Sequence, residues 1–453
     1  MKKTSEIIDL RRNGINSERI FLILAAIAAI FKISFFGFSY VPYLDDYVQY
    51  EYYSYFKNPM KNILFGGAKT AFSRPLAAIF DIYLTSPLFI FPPAALIFYT
   101  LIYAASGIIF YYVIKKYTSR VCPLFLIIYL LLPTCTEGTY WISAASRISF
   151  GLFFSGLAAL YMQQKNFLCF CPSFLFSLCF YEQTALFSAA LVFLIFISSP
   201  REYLRYFSAA LVFGALLCAY YIFLGTKGDN AERMNFVFPS PTHIKATFFS
   251  VWQLLTKAQA PLYTKGFSRG IAIIIKTCGI FRLIILALLA AALSLFLPKR
   301  ERKKLSAKEL LFSLLLFSAP LAPFFFMKNP WLNFRNLVPS VFGFALLSEL
   351  ALGFIPLKKN FICLFLTFFL TVCCVTEIYD YNKTAERDKE IIYFVAKSAP
   401  KNGAFFYESS ASDYIYQTSP YNDHIMSITG SDWGLTGAVR SVLKNRDIEV
   451  IKK

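Results

Sequence analysis

The sequence predicts an all-α polytopic membrane bundle of about 11 transmembrane helices, with outer interfacial helices and a small C-terminal α/β extracytoplasmic module. Three observations carry that prediction. The chain is 57% hydrophobic and 19% aromatic with 16% charged residues, more apolar surface than a soluble fold of 453 residues can enclose. The apolar residues come in runs such as Leu283–Leu297, where one Ser is the only polar side chain. The basic excess, +19 in net charge, is divided into short clusters between those runs, a pattern that holds such loops on the cytoplasmic side.

The first run follows Lys2, Lys3, Arg11, Arg12 and Arg19 and starts at Ile20. It continues into FKISFFGFSYVPY without a small-residue cleavage site, so it reads as an uncleaved first span over 20–38. Further runs fall near 93–114, 121–134, 148–162, 166–180, 183–198, 205–225, 279–297, 309–327, 337–356 and 361–378. The pair flanking Tyr181-Glu182-Gln183 reads as two short spans or as one re-entrant feature. From a cytoplasmic N-terminus, eleven crossings keep every basic cluster inside: Lys115, Lys116 and Arg120; Arg201 and Arg205; Lys299, Arg300, Arg302, Lys303 and Lys304; Lys358 and Lys359. The segment 72–90 carries Arg74, Asp81 and two prolines and reads as a helix at the outer interface.

The predicted membrane domain is 1–378, with a first outer loop at 39–92 and a long one at 226–270; a tail domain, 379–453, lies outside the cytoplasmic membrane. Within the tail, Lys383–Lys397 has helical spacing, a Lys-Asn-Gly turn leads to a strand at Ala404–Tyr407, and Ile448–Lys453 forms a last strand. No compact basic domain exists to bind nucleic acid. Nine of the ten cysteines sit inside apolar runs, with Cys135 at a membrane edge, so no disulfide framework is indicated. The two histidines, His243 and His424, are far apart, which argues against zinc.

Polar chemistry gathers on the outer side. Asp45 and Asp46 follow the first span directly. Adjacent carboxylates there suit general-base work on a hydroxyl or a divalent cation such as Mg or Mn; the bland alternative is a solvated helix N-cap. Arg74 in Arg74-Pro75-Leu76 and Arg335 in Asn333-Phe-Arg335-Asn can hold a phosphate, as can Arg282 at the outer end of its span; snorkelling to lipid head groups is the alternative. Glu137, Tyr140, Trp141 and Glu182 could contact a sugar or acceptor, although Tyr and Trp also form ordinary interfacial belts. Acids near mid-membrane, which an ion carrier needs, are few.

An acidic pair in a long first outer loop (Leu44-Asp45-Asp46-Tyr47), an interfacial Arg74-Pro75-Leu76 and a bundle of short spans ending in an outer tail resemble the GT-C glycosyltransferases. Within them the likeness is to bacterial O-antigen glucosyltransferase-type and related membrane families, of which the Glu137…Tyr140-Trp141 stretch is reminiscent. The resemblance implies transfer of a sugar from a polyprenyl-phosphate donor to a glycan or lipid acceptor at the outer face. It places Asp45 or Asp46 as base and Arg335, with Arg74 or Arg282, on the donor phosphate, with inversion at the anomeric carbon. The alternatives are a polysaccharide polymerase or ligase working through the 226–270 loop, and a flippase or transporter of lipid-linked oligosaccharide.

Overall fold

The computed structural model describes residues 2–47, 74–89, 91–117, 122–225, 239–298, 306–327, 332–400, 403–407, 425–445 and 447–452, with side chains from Ser17 onward except at 82, 221–225 and 452. Arg120, the Lys299–Lys304 cluster, His424 and most of the first outer loop lie outside them.

The described chain is almost wholly helical. Helix α1 is Lys2–Ser34; α2 is Pro75–Phe80, continued by a wider turn at Asp81–Thr85; α3 is Pro92–Lys115. Next come α4 (Leu124–Leu131), α5 (Thr136–Tyr140), α6 (Ile142–Gln163), α7 (Phe167–Phe180), α8 (Glu182–Ser198) and α9 (Pro200–Gly225). After them run α10 (Pro241–Gln253), α11 (Gln259–Ile273), α12 (Ile280–Phe296), α13 (Ala307–Ser318), α14 (Phe334–Leu352) and α15 (Lys359–Ser398). Among the described residues five helical stretches are long and apolar enough to cross a membrane: Pro92–Lys115, Ile142–Gln163, Pro200–Tyr220, Ala307–Phe325 and Lys359–Ser398. Their apolar side chains are not all inward. Leu204, Leu211, Val212 and Leu216 on α9, and Ile280, Phe281, Ile284 and Leu288 on α12, are exposed, as expected where lipid is the solvent.

The core is aromatic. The Phe342 ring of α14 meets Phe110, Phe125, Tyr129 and Phe187 at 4.7–5.9 Å between centroids, from α3, α4 and α8, with the last three edge-on. Close backbone approach tightens it: a Cβ on Gly343 would lie 2.2 Å from the Phe317 nitrogen, so only glycine lets α13 and α14 touch there. At one end of the bundle Lys115 pairs with Glu18 at 2.6 Å, joining α3 to α1.

Three elements differ from the sequence expectation. With eight residues, α4 is about 12 Å long and cannot cross hydrocarbon alone. It is held at both ends by charge: Glu349 accepts the N–H groups of Cys122 (2.6 Å) and Phe125 (3.2 Å), and the buried Lys32 donates to the Leu130 carbonyl at 2.7 Å. Both signs match the helix dipole. The expected loop 226–270 is helical from Pro241 onward, started by Ser240, whose hydroxyl accepts the His243 N–H. The boundary expected at 378/379 falls inside α15, since no glycine or proline interrupts Lys359–Ser398. This helix is about 60 Å long, twice the hydrocarbon thickness of a bilayer.

Beyond α15, β1 (Gly403–Tyr407) and β2 (Ile448–Lys452) form a parallel pair with Gly403 opposite Ile448. Helix α16 (Asp432–Leu443) packs on β2, where Thr436 accepts the Val450 N–H at 2.9 Å.

Candidate functional site

The candidate site is built on the turn that follows α1. There Leu44 takes φ +38°, a left-handed conformation that costs a bulky residue about 1–2 kcal/mol. Asp46 holds the turn in place. Its Oδ2 accepts the Tyr43 N–H at 2.9 Å and the Tyr40 hydroxyl, and its Oδ1 accepts the Ser143 N–H at 2.9 Å. The side chain is fully buried. Burial pushes its carboxyl up from the usual 3.8 to about 7, against the lowering effect of those hydrogen bonds.

With Asp46 enclosed, the strained turn presents Asp45 instead. Its side chain is 32% exposed and its Oδ2 lies 3.2 Å from Nη1 of Arg335. Arg335 is the second residue of α14. Its backbone N–H donates to Glu137 Oε2 at 3.1 Å, its Nε faces Glu137 Oε1 at 3.8 Å, and its guanidinium lies over the Trp141 ring at 4.8 Å. Glu137 is itself buried, so it holds the arginine and does not face solvent. Nη2 of Arg335 takes no partner among the described residues.

Arg74 and Glu182 form a neighbouring pair. Nε and Nη2 of Arg74 donate to both Glu182 oxygens at 2.8–3.0 Å, and the guanidinium covers the Tyr181 ring at 4.4 Å. The Tyr181 hydroxyl donates to Asn336 Oδ1 at 2.7 Å, which places this pair beside Arg335. Arg74, Glu182, Arg335 and Asp45 are each 25–32% exposed. The result is a half-open patch of two guanidiniums and two carboxylates over a buried Glu137.

Tyr140 and Trp141 are buried among other rings and do not offer a free stacking face. Tyr40, Tyr43, Tyr140, Trp141 and Tyr381 line a narrow crevice and pack edge to face: Tyr40 on Tyr140 at 5.2 Å, Tyr43 on Trp141 at 5.4 Å and on Tyr381 at 5.4 Å. The polar tips are also occupied. The Tyr140 hydroxyl donates to Asn382 Oδ1 at 2.5 Å and Trp141 Nε1 to the Tyr43 carbonyl at 2.9 Å. Arg282 does not join the patch. It donates to the carbonyls of Ser34 (2.8 Å) and Phe35 (3.2 Å), closing the C-terminal end of α1.

Contacts that sequence reasoning missed come from the tail and from α2. The Tyr43 hydroxyl donates to the Met426 carbonyl, and Asp388 of α15 accepts the Ser427 hydroxyl at 2.6 Å and the Ile428 N–H at 2.9 Å. Burial raises Asp388 to about 7 against those hydrogen bonds. Buried Asp81 pairs with Arg147 at 3.1 Å and ties α2 to α6. Nothing in the spacing of these residues announced them.

Among the described residues no three His, Cys, Asp or Glu side chains are grouped to hold a metal. Comparison of the chain with family models, curated proteins and solved structures returned no match.

Proposed function

We propose that the chain is a membrane glycosyltransferase that moves a sugar from a polyprenyl-phosphate donor to a glycan or lipid acceptor at the outer face of the cytoplasmic membrane. In this reading α1, α3, α4 with α5, α6, α7, α8, α9, α12, α13, α14 and α15 make the eleven passes. Residues after α15 form an extracytoplasmic module. The helix ends support the sidedness: Glu18, Lys115, Cys122 and Glu349 meet at one end, while Asp45, Glu137, Glu182 and Arg335 gather at the other.

One observation carries the proposal: an ion pair between a part-exposed aspartate on a strained turn and a part-exposed arginine, beside a second arginine. It supports a division of labour between the two aspartates that the sequence left open. Asp45 is the base and Asp46 its scaffold. The acceptor hydroxyl gives its proton to Asp45 as its oxygen forms the bond to the anomeric carbon. The carbon–oxygen bond to the donor phosphate breaks, and its electron pair stays on the phosphate, where Arg335 and Arg74 stabilise the charge. One displacement inverts the anomeric configuration.

The test is transfer from a panel of polyprenyl-phosphate hexoses by the full chain in nanodiscs, with envelope extract as acceptor. Asp45→Asn should lose about 100-fold or more of the turnover with donor binding not weakened. Full turnover in that variant, or a product with retained configuration, would sink the reading. Unchanged activity with net movement of lipid-linked glycan would favour a transporter.

A further inference from the structure

Arg335 has an anchored side and a working side. Glu137 holds its backbone N–H and faces its Nε, and Trp141 covers one face of the guanidinium. The opposite edge, Nη1 and Nη2, meets only Asp45 among the described residues, through one oxygen at 3.2 Å. An arriving anion therefore competes with one carboxylate at one edge, and the arginine need not leave its seat. Arg74 differs, because both Glu182 oxygens occupy it.

We infer that Asp45 and the phosphate of the substrate exchange on the Nη edge of Arg335: the phosphate takes the guanidinium, and Asp45 is released as a free carboxylate. This rests on the function proposed above and adds an order of events to it. Paired with Arg335, Asp45 has its Oδ2 turned to Nη1 at 3.2 Å. Released, that oxygen is open to the hydroxyl of the acceptor. The base is then free of the guanidinium only when the phosphate of the donor has taken its place.

The exchange makes a prediction opposite to that for a cooperative binding residue. Binding of polyprenyl phosphate is measured on the full chain in phosphatidylcholine nanodiscs. Arg335→Gln should weaken it, whereas Asp45→Asn should tighten it on the order of three- to tenfold, since the competitor is gone. In an Arg335→Gln background the Asp45→Asn effect should vanish, a coupling that a general change in surface charge does not produce. Asp45→Ser, checked by thermal melting, serves as a second variant.

Weaker or unchanged binding in both Asp45 variants, with Arg335→Gln still harmful, overturns the exchange and leaves the functional reading intact. An Arg335→Gln variant that binds normally overturns the phosphate seat itself. Phosphatidylglycerol and inorganic phosphate are added as competitors. If either displaces polyprenyl phosphate at equal concentration, the seat is one for ordinary head groups or free phosphate, and the proposed substrate falls.

Discussion

Asp46 accepts the backbone N–H of Ser143 at 2.9 Å, a bond spanning 97 residues that ties the turn after α1 to the start of α6. Its neighbour Asp45 instead accepts from a side chain, Nη1 of Arg335 at 3.2 Å, at a part-exposed position. The two aspartates should therefore fail in different ways. Asp46→Ala leaves the Tyr43 and Ser143 N–H groups without an acceptor, and the melting temperature should fall by the equivalent of about 1–3 kcal/mol. Asp45→Asn should melt like the parent protein and lose only turnover. Thermal unfolding in detergent, run beside the transfer assay, separates the two.

Acidity should strengthen the outer turn and its contact with the tail. Asp46 and Asp388 are both raised to about 7 by burial, against an ordinary value of 3.8. A carboxyl whose folded value is raised binds its proton more tightly in the folded state. Its contribution is full below the ordinary value and declines as pH rises through about 4 to 7. The melting temperature should be higher at pH 5 than at pH 8, and Asp388→Asn should flatten part of that slope.

The short helix α4 depends on charges supplied by other helices. Lys32→Met removes the donor to the Leu130 carbonyl and should cost about 1 kcal/mol. Glu349→Ala removes the acceptor of two buried N–H groups and should cost about 2 kcal/mol or more. Ranking the two by thermal unfolding checks whether the N-terminal end matters more.

Gly343 should not tolerate a side chain. A Cβ there would sit 2.2 Å from the Phe317 nitrogen and 2.7 Å from the Leu316 carbonyl carbon, neither of which can swing away. Gly343→Val should lower the yield of monodisperse protein on size exclusion far more than Gly214→Val, where a Cβ meets nothing within 4 Å.

The helical character of the fold was open to reading because apolar runs and basic clusters are local signals. The acids and arginines of the patch were readable for the same reason, since Asp45, Glu137, Glu182 and Arg335 each stand at the edge of an apolar run. Their division of roles was not. Asp45 and Asp46 differ only in what faces them, and the partners of Asp46 include Ser143, distant in sequence. Arg282 looked like a phosphate ligand by its position at a helix start, yet the carbonyls of Ser34 and Phe35 take its donors. The helices after Ser240 were hidden by a mixed composition, in which Thr247 and Val251 pack inward while Phe248 and Trp252 stay exposed.

The unbroken course of α15 has a mechanical consequence. A rod of about 60 Å that tips by about 5° moves its far end by about 5 Å. Asp388 rides on that rod and grips the segment that Tyr43 also holds. Any tilt of α15 would thus be felt at the turn that carries Asp45, through Met426–Ile428.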